Sequence, residues 1–104
     1  MLTVRLMGRA ELTPNMREAA KERFLAALRV EFDGLENAIE TYTEFRRLCD
    51  KYRPQPVPSG ERAPVERWEK AYALAKAAAF RPWPNLDRGA QFEIEFVPDH
   101  GRDA

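Results

Sequence analysis

With 104 residues, 44% of them hydrophobic and 33% charged, the sequence describes one globular domain with a core of its own, not a disordered chain. Seventeen Lys and Arg balance seventeen Asp and Glu, which argues against a dedicated nucleic-acid binder, usually basic overall, and leaves room for a local patch. The single cysteine, Cys49, excludes an intrachain disulfide and suits a reducing, cytoplasmic setting, and the sequence holds neither a membrane-length apolar run nor a signal-peptide pattern at its start.

Leu2, Val4 and Leu6 alternate with Thr3, Arg5 and Met7, the period of a half-buried strand that Gly8 ends. Thr13-Pro14 then opens a helix, Thr as N-cap and Pro at the first helical position. Met16, Ala20, Phe24, Leu28 and Phe32 recur every four residues, so this helix runs from about Pro14 to Phe32. Asp33-Gly34 is its exit, with Gly34 suited to the left-handed position after the last turn. The link that follows is short, which favours antiparallel neighbours.

Leu35 to Tyr52 reads as a central helix around which the rest of the chain is organised. Leu35, Ala38, Ile39, Tyr42, Phe45, Leu48, Cys49 and Tyr52 form one apolar face. Pro54 stops the helix at Arg53. Pro54, Pro56 and Pro58 make the next segment an extended, stiff loop. Pro64 opens a third helix with Val65, Trp68, Tyr72, Ala75 and Ala79 on one face, ending near Phe80. After the turn-rich stretch from Pro82 to Gly89, Phe92, Ile94 and Phe96 alternate with Gln91, Glu93 and Glu95 as the second strand.

The expected fold is therefore α+β, in the order β-α-α-α-β: three helices packed on a two-stranded antiparallel ribbon formed by the terminal strands. Residues 1–97 form one compact domain and residues 98–104 a flexible polar tail. Arg5 on one strand and Glu93 and Glu95 on the other supply opposite charges across the pair. A lone two-stranded ribbon is marginal and leaves two open edges. A homodimer through a strand edge, giving four strands, would answer both problems.

Little in the sequence suggests catalysis, and no enzyme activity is expected. The one histidine, His100, falls in the tail. Cys49 lies on the apolar stripe, where a small buried hydrophobe is the ordinary role. Ser59 is the only serine, and its loop supplies no base. No Gly-rich phosphate cradle and no metal-ligand spacing is present, so neither cofactor nor metal is expected.

Charge is segregated along the chain. Glu31, Asp33, Glu36, Glu40 and Glu44 form an acidic block without a basic residue between them; Arg46, Arg47, Lys51 and Arg53 follow with only Asp50 opposing. Glu36, Glu40 and Glu44 read either as a surface for a basic partner or as a solvated helix face. The basic cluster beside Tyr52 reads either as a phosphate or RNA contact or as a solvated last turn. Trp83, held between Pro82 and Pro84, has two readings as well: a rigid partner contact, or a lid over the core beside Phe80 and Leu86.

From Leu2 to Leu35 the sequence resembles the start of ribosome hibernation factors: a strand, then Gly8-Arg9, Glu11-Leu12-Thr13 and Met16-Arg17-Glu18 leading into an amphipathic helix. The resemblance covers about a third of the chain. That family continues through further strands to a second long helix, whereas here another helix and a proline loop follow, so no function or site residue is carried over.

The function expected from these features is that of a non-catalytic protein-binding module, such as a small stand-alone inhibitor or adaptor. Its surface would combine the Pro54–Pro64 loop, Trp83 and the acidic helix face. The alternative is a nucleic-acid- or ribosome-associated factor using Arg46, Arg47, Lys51 and Arg53.

Overall fold

The computed structural model describes residues 2–96; the expected tail at 98–104, with His100, lies outside the described residues. The elements are β1 (Leu2–Met7), α1 (Pro14–Phe32), α2 (Leu35–Tyr52), α3 (Ala63–Ala79) and β2 (Gln91–Phe96), with 3-10 turns at Ser59–Glu61 and Pro84–Leu86. This is the expected β-α-α-α-β order. The terminal strands pair antiparallel, from Leu2 opposite Phe96 to Met7 opposite Gln91. Arg5 faces Glu93 and reaches both Glu93 and Glu95 at 2.9 Å. All three side chains are well exposed, so the bridge adds at most about 1 kcal/mol. It marks the outer face, while Leu2, Val4 and Phe92 are buried on the inner one.

The core lies between that inner face and two helices. α1 buries Ala20, Phe24, Leu28 and Phe32, the four-residue period read from the sequence. The Phe24 ring stacks on Phe92, centroids 4.1 Å apart, and meets Tyr72 edge-on at 5.6 Å. α3 buries Val65, Trp68, Ala71, Ala75 and Ala79. Its alanines let it approach α1 closely, and it packs on α2 along another side. The central helix is thus α3. α2, expected in that place, buries only Ala38 and Leu48. Its stripe is wide but rich in large rings, which lean on Trp68 and leave Tyr42 and Phe45 half-buried.

The helix ends follow their local chemistry. The Thr13 hydroxyl accepts the Met16 N–H at 3.2 Å. At the exit of α1 the left-handed residue is Asp33, φ 54°, one position earlier than expected. Gly34 N–H donates to Arg29 O at 2.8 Å and Asp33 N–H to Val30 O at 3.4 Å, a Schellman pattern that an aspartate tolerates in its left-handed site. The Asn37 side-chain amide then donates to Phe32 O at 2.9 Å and holds the turn. Gly34 itself sits at φ 126°, a conformation open to glycine. Gly8, after β1, is also obligatory: a Cβ there would lie 2.2 Å from the Gly89 carbonyl oxygen.

The proline loop is pinned at its middle. Val57 is buried in a small second cluster with Leu48 and Val65, and Tyr52 bonds Glu61 across the loop. Among the described residues no helix is long and apolar enough to cross a membrane.

Candidate functional site: an aromatic groove beside a strand edge

α2 packs on α3 but diverges from the ribbon, and a groove of about 820 Å³ opens between α2, α3 and β2. Trp68 from α3 forms its floor and is 4% exposed. Around it stand Tyr42 at 4.8 Å, Phe45 at 6.2 Å and Tyr72 at 6.4 Å between ring centroids. The helical steps Tyr42–Phe45 and Trp68–Tyr72 bring the rings to one side of each helix. Tyr42, Phe45 and Tyr72 remain half-buried, and Met7, at the end of β1, is 45% exposed at the groove. Arg46 and Glu69 complete the helix-side rim, and Gln91 to Ile94 form the strand-side wall.

The strand-side wall is an edge of the sheet. In an antiparallel ladder alternate residues bond the neighbouring strand and the others point away from it. The Phe92 N–H donates to the Tyr72 hydroxyl at 2.8 Å, and that hydroxyl donates to Phe92 O at 3.3 Å. Phe92, and with it Ile94, therefore belongs to the outward-facing set. Tyr72 closes the edge of β2 at Phe92. No hydrogen bond from elsewhere among the described residues reaches the Ile94 N–H or C=O. At the end of β1, the Arg17 guanidinium donates to Leu6 O at 3.0 Å and, just beyond the strand, to Gly8 O at 2.9 Å and Arg9 O at 2.6 Å. Helix side chains thus blunt each edge at one end; Ile94 on β2 and Val4 on β1 meet no such partner among the described residues, and of the two only Ile94 lies beside the groove.

Burial pushes the Tyr72 phenol above its ordinary value, and the hydrogen bond from the Phe92 backbone partly offsets this. Tyr72 stays neutral and keeps the proton it donates.

The residues singled out in the sequence are dispersed. On α2, Arg47 forks onto Glu44, with Nε at 3.1 Å and 3.2 Å from the two carboxylate oxygens. That bond holds the Glu44 carboxyl below its ordinary value and the Arg47 guanidinium above its own. Arg53 pairs with Asp50 at 3.0 Å, and Lys51 lies 3.9 Å from Glu61. Arg46 has its nearest carboxylate, Asp50, at 4.0 Å, and it alone of the four lines the groove. Glu36 and Glu40 are exposed on α2. Neither has an ion-pair partner among the described residues.

Trp83 is half-buried and packs against the core. The Arg23 guanidinium lies 4.8 Å from its ring centroid, and the Trp83 backbone is tied to Phe80 and Leu86. These are the contacts of the lid reading. Trp83 follows the C-terminal end of α3 whereas the proline loop precedes its N-terminal end, so roughly 25 Å of helix separates them at 1.5 Å per residue. The loop and Trp83 do not meet in one surface.

The groove itself escaped the sequence because every ring in it falls on a stripe that reads as core. One signal was present: Tyr42 and Tyr72 stand where Phe or Leu would serve a dry interior, and a tyrosine carries a polar tip that needs water or a partner. Cys49 is half-buried and free. Among the described residues no group of three or more His, Cys, Asp or Glu could hold a metal ion. No protein-family model, no curated protein and no solved structure matches the chain.

Proposed function

We propose that the chain is a non-catalytic protein-binding module, a small inhibitor or adaptor acting in the cytoplasm, and that the aromatic groove is its partner surface. One observation carries the reading: half-exposed Tyr42, Phe45 and Tyr72 surround Trp68 in a groove that no described part of the chain fills. Aromatic side chains and arginine are enriched at protein interfaces, and the strongest contacts cluster in such pockets. Arg46 on the rim fits the same pattern.

The nucleic-acid alternative draws on Arg46, Arg47, Lys51 and Arg53. Three of these have a carboxylate close at hand within the chain, in Glu44, Glu61 and Asp50, which weakens the field they offer a phosphate backbone. The protein-partner reading is therefore preferred.

Affinity capture from host lysate, with and without nuclease, tests it when wild type is run beside the double variant Met7→Glu/Arg46→Glu. Both side chains are exposed on the groove, so the variant keeps its fold. A partner retained by wild type after nuclease and lost by the variant supports the proposal. Captured material that disappears with nuclease and falls steeply in salt contradicts it and favours the alternative.

A further inference from the structure

We infer that the groove takes an extended segment of a protein partner by strand addition to β2, with apolar side chains on the aromatic floor and basic side chains opposite Glu93 and Glu95. The inference rests on the groove being the partner surface and specifies how it binds and what it selects.

Three observations lead there. First, the Ile94 N–H and C=O face away from β1 and meet no other group among the described residues, whereas the equivalent groups of Phe92 already hold the Tyr72 hydroxyl. An added strand satisfies Ile94 and is stopped by Tyr72 at one end, so it pairs from Ile94 toward residue 96. Second, a strand placed on that edge lies over the groove. A residue opposite Ile94 points its side chain to the inner face, toward Trp68, Tyr42 and Phe45, by the same alternation that puts Ile94 there.

Third, the charge on this side of the sheet is acidic. Glu93 and Glu95 on the outer face of β2 share one cation, Arg5, and Glu69 is on the groove rim with Arg46, so carboxylates outnumber cations here. The residues flanking the one opposite Ile94 sit across from Glu93 and Glu95, so the matching segment reads basic–apolar–basic. β1 already answers the other edge of β2 in this way: Val4 faces Ile94, and Arg5 binds both glutamates. A second copy of β2 is the wrong occupant. Antiparallel self-pairing centred on Ile94 would set Glu93 of each copy against Glu95 of the other, and like charges directly opposite are destabilising.

The test is a titration of the intact chain at low salt with three capped pentapeptides, followed by amide and indole NMR shifts. The first is Lys-Val-Lys-Leu-Lys. The second replaces each Lys by Glu. The third is the first, N-methylated at Val and Leu, whose N–H groups face β2 in this register, so that it cannot donate to the Ile94 edge. The expected result is a shift of the Ile94 amide and the Trp68 indole with the first peptide, and binding about tenfold weaker or absent with the other two, since cross-strand attraction turns to repulsion in one and backbone pairing is lost in the other.

Equal binding of the N-methylated peptide overturns strand addition while leaving the groove as a contact surface. Equal binding of the Glu peptide overturns the charge selection. No shift with any peptide overturns the inference, and the capture experiment then judges the partner surface independently. Ile94 shifts that follow protein concentration without peptide would assign the edge to a second copy and also overturn it.

Discussion

The Tyr72 hydroxyl lies 2.8 Å from the Phe92 amide nitrogen and 3.3 Å from the Phe92 carbonyl oxygen, so one side chain of α3 serves both outward polar groups of a strand residue. This joins the helix layer to the edge of the ribbon and fixes where the open edge begins. Removing the hydroxyl in Tyr72→Phe leaves the ring packed against Phe24 but strands the Phe92 N–H. The expected loss is about 1–2 kcal/mol in urea unfolding, the range for an unmade hydrogen bond in a partly buried site. An unchanged midpoint would mean that water replaces the hydroxyl at no cost.

The same phenol makes the fold sensitive to alkali. Its folded value is raised above the unfolded one by burial, so the folded state holds the proton more tightly. That contribution is fully present below the unfolded value of about 10 and is lost as pH rises through the folded value. Unfolding midpoints of wild type should fall as pH rises above about 10, and Tyr72→Phe should fall less over the same rise. Parallel curves would remove Tyr72 from the alkaline transition.

Phe24 and Phe45 should separate sharply in stability. Phe24 is 0% exposed and stacked on Phe92, and Phe24→Ala should cost about 3–5 kcal/mol. Phe45 stands half-buried on the groove wall, so Phe45→Ala should cost about 1–2 kcal/mol while weakening partner capture. Equal losses by thermal unfolding would place Phe45 in the core and close the groove.

Arg23 links α1 to the far end of α3. Its Nε donates to Ala79 O at 3.0 Å, its guanidinium covers Trp83 at 4.8 Å, and its buried Nη2 meets no partner among the described residues. Arg23→Ala loses the packed stem as well as the bond to the helix C-terminus and should cost about 1–2 kcal/mol. Arg23→Met keeps the apolar stem, removes the unpartnered nitrogen and should cost less. The reverse order in denaturation would show that the charge at the end of α3, not the stem, holds this contact.

The fold was legible where a local rule and a periodic pattern agreed. Thr13-Pro14 and Pro54 marked helix ends, the alternation from Gln91 to Phe96 marked a strand, and Arg5 with Glu93 and Glu95 indicated which strands pair. The depth to which a stripe is buried was not legible. The apolar face of α2 and that of α3 look alike as patterns, and only the alanines of α3 permit the close approach that places it between its neighbours. The site was hidden for the same reason. Its walls come from three elements far apart in sequence, and the hydroxyl that closes Phe92 sits in a residue that its spacing assigns to the core. The basic cluster on α2 stands out in the sequence with only Asp50 opposing it, yet most of its members find carboxylates within a turn or across the loop.

The openness of β2 at Ile94 beside the aromatic groove is tested most directly by amide hydrogen exchange of the free chain, comparing Ile94 with Phe92. Phe92 should exchange about tenfold more slowly or better, since its N–H is held by Tyr72 while that of Ile94 faces the groove. Ile94 protection equal to that of Phe92 would contradict this, because the edge would then already be covered in the free protein and unavailable to a partner strand.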